Sequence, residues 1–410
     1  MNRNLIPLAL LFAIGSFHDV IAAPLKVALI DPFSGPLASN GKIYEVATKF
    51  AFDRLNSAGG FNNEPIELMT YDHAGNPSTA SDRFREAVAA GARVIVTSLT
   101  SATTGQLSED VRRYNLRNPA SPVLFLNQGS EASDLTGAKC HFYSFRLTTI
   151  AQMRAKALTS VMKSEGVLEG GVYSINQNYA FGQDMEAAVQ ANSSIDGYKV
   201  VGSVLHDMFR LQDFTPYVGR VRESGASAVI TSSFASDLLL LIKASADSGL
   251  KVSFGSVFLD QPGNLASGRD ALAGAYNAGT YNVGADKSSL PEEFKARVGH
   301  YPLYQVEGAV VAVLSLFGEA LKTVSGPHGA PVDVQKIALA LEKAKFNGPM
   351  GELSVRAEDH QLQMPLVVAK VQEDEKYPVD STKWGFKVIK VLPSADLTYP
   401  VQESCKMVRP

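Results

Sequence analysis

Apolar and polar positions along this chain follow two rhythms that take turns. Apolar runs of strand length, such as LKVALI at 25–30, are followed by stretches in which apolar residues return every three or four positions. Residues 25–30, 65–72, 93–98 and 121–127 read as strands, and 41–60, 76–91 and 105–115 read as the helices between them. In the first helix Ile43, Val46, Ala47 and Phe50 share one face, and Gly59 and Gly60 end it. A second set has strands at 170–175, 198–205, 227–233 and 251–259, with helical stretches at 182–192, 214–224 and 234–249. Strands separated by helices imply right-handed crossovers and a parallel sheet. Two such sets predict an α/β fold of two Rossmann-like lobes, and a length of 410 residues fits two domains.

Parallel α/β sheets bind ligands beyond the carboxyl ends of their strands. Here those ends read DPFSGPLASNG, YDHAGNP, TSLTSATT, LNQGSEAS, NQNYAFGQ, TSSFAS and FLDQPGN. They are rich in Ser, Thr, Asn, Gly and aromatic residues and poor in cations, which suits a small polar or zwitterionic solute better than a phosphate. From Thr97 to Thr104 six of eight side chains carry a hydroxyl. One of them would cap the following helix whatever the function; six exceed what a cap needs.

Residues 1–23 stand apart. Arg3 precedes the 11-residue apolar run Leu5–Gly15, too short to span a bilayer, and small residues close the segment. This is the pattern of a cleavable signal peptide, with cleavage after Ala22 or Ala23. No cysteine lies near the cut for lipid attachment, so the chain is expected to be exported to the periplasm without a lipid anchor. The two cysteines, Cys140 and Cys405, are a disulfide candidate in an oxidising compartment; two separate buried thiols are the alternative.

The formal net charge of −3 argues against a sequence-independent nucleic-acid binder. GPLASNGKI at 35–43 imitates a phosphate loop, but five residues separate its glycines and Ile43 stands where the Mg²⁺-binding hydroxyl belongs. Neither a G-x-S-x-G elbow nor an HExxH or CxxC metal motif occurs. The expectation is a binding protein, not an enzyme, with no cofactor and no metal.

The residues also carry a family likeness. S-G-P-L-A-x-x-G after the first strand, N-x-A-G-G-F after the first helix and Y-D-x-x-x-N-P after the second strand resemble the type I periplasmic solute-binding proteins, nearest to the leucine/isoleucine/valine-binding family of ABC importers. NQNYAFGQDM, DFTPYVGRV, YPLYQVEGA and FNGPMGELSV continue the likeness over most of residues 25–391. It implies a three-strand hinge, with crossings near 142–148, 276–282 and 348–354. Lobe 1 would then be 24–145 plus 283–349 and lobe 2 146–280 plus 350–391, with 392–410 an extension. The implied partners are a small-molecule ligand and a membrane permease of an ABC transporter; the chain itself is expected to be a monomer.

The resemblance assigns the hydroxyl loop to the ligand's carboxylate, through Ser101, Thr103 and the N–H of Ala102. Gly129 and Ser130 would contribute backbone groups. Glu131 departs from the small hydroxyl residue expected beside them, and Asn40 departs from the usual aromatic. Tyr179, Phe181 and Phe234 would form the apolar wall, with ordinary core packing as the alternative. Asp260 would pair an ammonium, against a plain turn or capping aspartate. The implied ligand is a branched-chain or other hydrophobic amino acid; aromatic carboxylates, amides and urea on the same fold, and a sensor ectodomain, remain open. Protein recovered from the periplasm should begin at Ala23 or Pro24; intact mass spectrometry that finds Met1 on the exported chain would contradict the leader.

Overall fold

A computed structural model describes residues 24–410, so the expected signal peptide lies outside the described residues. The first lobe opens with strands β1 (Lys26–Asp31), β2 (Glu67–Asp72), β3 (Val94–Thr97), β4 (Leu124–Asn127) and β5 (Ser144–Arg146). The second holds β6 (Val172–Gln177), β7 (Val200–His206), β8 (Ala228–Thr231), β9 (Ser253–Ser256) and β10 (Tyr276–Gly279). The chain then returns to the first lobe for β11 (Lys345–Gly348), β12 (Gly351–Arg356) and β13 (Gln361–Gln363). It ends its strands in the second with β14 (Leu366–Glu373) and β15 (Trp384–Leu392).

The eight-stranded sheet runs β11-β12-β13-β5-β4-β3-β1-β2 and the seven-stranded sheet β15-β14-β10-β9-β8-β6-β7. The central strands are parallel, as the alternation predicts: β3 pairs β1 and β4, and β8 pairs β6 and β9. VIVT of β3 is buried throughout, the mark of a strand covered on both faces. One edge of each sheet is antiparallel, through β11–β12–β13 and β10–β14–β15, so both sheets are mixed.

Glycines let the helix that follows the first strand of each lobe lie close to that strand. A Cβ on Gly41 would stand 1.9 Å from the Pro32 carbonyl oxygen, and one on Gly182 would stand 1.9 Å from that of Gln177. These contacts bring the helix starts down onto the strand ends, where the site forms.

The first crossing follows Arg146 and the second follows Gly279. The third differs from expectation. β12 folds back on β11 as a tight hairpin, Gly348 opposite Gly351, and β13 pairs Gln361 with Arg146 of β5. Residues 350–363 therefore belong to the first lobe's sheet, and the chain crosses at Met364–Pro365, not around 348–354.

The extension crosses once more. Leu397 is buried in the second lobe's core. Beyond it, Gln402 Nε2 donates to the Ser133 carbonyl at 2.7 Å and Arg409 pairs with Glu342 at 2.7 Å, both on the first lobe. Between them Cys405 is bonded to Cys140, Cα–Cα 5.5 Å. A cross-link closing 265 residues restricts the unfolded chain strongly. Denaturant unfolding of the oxidised protein and of Cys405→Ser should differ by about 2–4 kcal/mol in favour of the oxidised form. Equal stabilities would show that the tail's bond does not restrain the chain.

Candidate ligand-binding cleft

The site begins with one buried carboxylate. Asp31, the last residue of β1, accepts hydrogen bonds from Ser98 N (2.8 Å), Leu99 N (3.1 Å) and Ser98 Oγ (2.6 Å). These bonds shape the loop that leaves β3. Burial pushes the Asp31 carboxyl up to about 7, against the hydrogen bonds from Ser98, Leu99 and Thr97 that hold it down. It makes no ion pair among the described residues.

The hydroxyl run divides its labour. The helix after β3 spans Ser101–Arg117, four residues earlier than the apolar rhythm suggests. The Thr103 hydroxyl accepts from Thr100 N at 2.6 Å and turns back to the Leu99 and Thr100 carbonyls. Thr103 is thus part of the helix cap and is not on the cavity wall, which corrects its expected role. Thr97 Oγ1 donates to the Ile30 carbonyl at 2.8 Å, and Thr104 Oγ1 meets Ser130 Oγ at 2.7 Å. Ser101 differs: its hydroxyl has no hydrogen-bond partner among the described residues, and it lines the cleft. The first N–H groups of the helix have no partner within the helix, and the dipole adds partial positive charge there. The Ala102 side chain is exposed and off the wall.

Ser130 and Gly129 line the cavity, but their N–H groups are engaged. Asn127 Oδ1 accepts from Ser130 N at 2.8 Å and from Gly129 N at 3.2 Å. Of their backbone groups, the two N–H donors are thus spent within the loop, and the Gly129 carbonyl is the one that has no partner among the described residues. Asn40 lines the cavity, and Tyr44 does too, one turn further along the same helix.

The opposite wall is aromatic. Tyr179, Phe181, Phe258 and Phe234 close a ring, with neighbouring centroids 6.1, 5.9, 5.8 and 6.1 Å apart. Three of the four were expected; Phe258 was not, although it opens the same FLDQPGN strand end that holds Asp260.

Both acidic candidates lie at the cleft. Glu131 pairs with Arg154 of the second lobe at 2.6 Å, both fully buried, so the pair closes on itself. Arg154 also donates to the Ala278 carbonyl at 2.8 Å and to Gln305 Oε1 at 2.6 Å. Asp260 accepts from Gln305 N at 2.5 Å and from Gln305 Nε2 at 2.8 Å, at the start of the helix Gln305–Val324. Burial pushes its carboxyl up to about 6, with Gln305 and Arg154 pulling down. No cation lies within ion-pair distance of it among the described residues. Gln305 was legible only as part of YPLYQVEGA, without a role. The cavity between these walls is small, about 50 Å³. Among the described residues no group of three or more His, Cys, Asp or Glu could hold a metal, and no helix is long and apolar enough to cross a membrane.

Asp31 sets a pH dependence. Its folded value is raised above the ordinary 3.8, so its contribution to stability is full below that value and is lost as the pH rises through about 7. Asp31→Asn keeps one acceptor oxygen and can reverse the bond to Ser98 Oγ. Between pH 5 and 7.5 the variant should lose roughly 1–3 kcal/mol less stability than the parent protein. Parallel stability curves would show that Asp31 does not carry the effect.

Comparison with known proteins adds three findings. The family model for periplasmic binding proteins matches residues 24–376. The chain is 44% identical over 392 residues to Leu/Ile/Val-binding protein homolog 4 of Brucella abortus (strain 2308), covering 95% of this chain and 94% of that one. The closed leucine-, isoleucine-, valine-, threonine- and alanine-binding protein of Brucella ovis superposes with a TM-score of 0.90 at 44% identity, over 95% of this chain and 100% of that one. At 19% identity, the fold is shared with a Rhodopseudomonas palustris BisB5 solute-binding protein of an ABC transporter in complex with 3,4-dihydroxybenzoic acid (TM-score 0.75, 90% and 98% covered). With the match spanning both lobes and the cleft between them, the chain belongs to the periplasmic binding protein family.

Proposed function

We propose that this chain is the exported substrate-binding component of an ABC importer, working as a monomer that delivers a small hydrophobic amino acid to a membrane permease. The observation that carries the reading is the pairing of two unmet groups across one cavity. Ser101 and the helix N-terminus offer donors without partners, and Asp260 offers a buried carboxylate without a cation. A zwitterion satisfies both, and the aromatic ring between them takes an apolar side chain. The relatives named for leucine, isoleucine and valine support the same class. Residues 1–23 supply the export signal in this reading.

A second reading is an aromatic carboxylate. It is favoured by the engagement of both Asp260 oxygens with Gln305 and by the aromatic ring. A solved neighbour of the same fold is in complex with 3,4-dihydroxybenzoic acid.

Calorimetry of leucine, phenylalanine, benzoate and a hydroxycinnamate from pH 5 to 8 separates the two. An ammonium needs ionised Asp260, so amino-acid affinity should fall up to about tenfold per pH unit below about 6. Benzoate should bind as well or better there. Asp260→Asn, whose amide cannot accept from both Gln305 donors, should cost leucine at least about 2 kcal/mol more than it costs benzoate. Ser101→Ala should weaken every carboxylate by about 1.5–3 kcal/mol. Tight benzoate with no amino-acid response would replace the first reading by the second; no response to Ser101→Ala would move the carboxylate elsewhere.

A further inference from the structure

A second cavity, of about 20 Å³, lies against the first on the hinge side. Five residues line both: Tyr44, Glu131, Phe258, Gln305 and Val306. Tyr44 stands between the chambers. Its hydroxyl has no hydrogen-bond partner among the described residues, and its ring passes so near Gly129 that a Cβ there would lie 2.7 Å from Oη. Much of the inner wall is apolar, from Leu147, Val310 and Met364.

One polar group in this wall is unmet. Gln128 is 4% exposed and lines only the inner chamber of the two. Its Nε2 donates to Thr48 Oγ1 at 2.8 Å and to Ser98 Oγ at 3.2 Å. With Asp31 ionised, Ser98 Oγ donates to it and therefore accepts from Gln128, which fixes the amide's orientation in that state. Oε1 is left buried with no partner. Buried polar groups in folded proteins are nearly always hydrogen-bonded, and an unmet acceptor that lines a cavity is placed to take a donor from outside the chain. A cation does not suit the chamber, since Arg154 lines it and Glu131 is already paired.

We infer that the inner chamber is a subsite for a neutral hydrogen-bond donor, with Gln128 Oε1 as acceptor and Tyr44 Oη beside it. It takes the distal hydroxyl of a ligand, and a single water when the ligand has none. About 10–15 Å³ admits one water, so the volume fits one such group. The inference rests on the proposed function, because the ligand must lie in the outer chamber for its far end to reach the inner one. It adds a rule for choosing among small carboxylates: a hydroxyl is preferred to a methyl of the same shape.

Matched pairs test it: valine with threonine, norvaline with homoserine, and p-toluate with 4-hydroxybenzoate, each titrated calorimetrically. In at least one pair the hydroxyl member should bind about three- to tenfold more tightly. Gln128→Met removes the acceptor and should abolish that ratio; because the readout is a ratio within a pair, any general weakening cancels. Tyr44→Phe, which leaves Gln128 and its partners in place, should reduce the ratio without abolishing it. Binding without preference in every pair, or a preference that survives Gln128→Met, overturns the subsite and leaves the proposed function standing. No binding by any member overturns the ligand class, and the subsite falls with it.

Discussion

The two lobes are joined by a buried charge pair, and the cleft depends on it. Glu131 of the first lobe and Arg154 of the second meet at 2.6 Å with almost no access to solvent. Breaking such a pair by removing one partner costs about 3–5 kcal/mol, because the other charge stays buried alone. Arg154 needs more than one acceptor, and it finds the others in Ala278 O and Gln305 Oε1. Gln305 then carries the link on to Asp260 through its N–H and its amide. Four residues from both lobes thus hold one another, and the cavity lies against them. A site assembled this way is sensitive to the angle between the lobes, which is what a protein that closes over a solute requires.

The same logic of satisfied partners explains which groups remain for a ligand. Along the loop from Thr97 to Thr104, most hydroxyls answer a local need: Thr97 bonds Ile30, Thr103 caps the helix, and Thr104 meets Ser130. Asp31 templates the loop from beneath. Ser101, Tyr44 Oη and Gln128 Oε1 are left without partners near the cavities, and Asp260 is left without a cation. The aromatic ring adds an apolar surface that repels water but makes no demand for charge. Together these leftovers describe the ligand more closely than any single contact does.

Much of this was legible in the sequence. Two sets of alternating apolar runs and helical periods give two α/β lobes, and buried runs such as VIVT mark their central strands. The strand-end rule marked the loops, the family resemblance picked Ser101, Asp260, Tyr179, Phe181 and Phe234 out of them, and all five line the cavity; an even cysteine count marked the disulfide. Other features were hidden for physical reasons. A hydroxyl that faces its own backbone and one that faces a cavity are the same letter, so Thr103 and Ser101 could not be separated. Gly129 and Ser130 looked free because Asn127, which takes their N–H groups, reads as the end of a strand. The role of Gln305 depends on a partner 45 residues away, and that of Glu131 on Arg154 across the hinge. The third crossing was misplaced because the β11–β12 hairpin returns the chain to the first sheet before it leaves.

The central claim is that a carboxylate ligand lies between the helix start at Ser101 and the Asp260 side of the cleft. A crystal structure with the tightest-binding small carboxylate tests it most directly. The account predicts carboxylate oxygens at about 2.7–3.1 Å from Ser101 Oγ and from the first N–H groups of that helix, with the rest of the ligand against the ring of Tyr179, Phe181, Phe234 and Phe258. A ligand whose carboxylate points to the aromatic ring, or one bound outside the cleft, would contradict it.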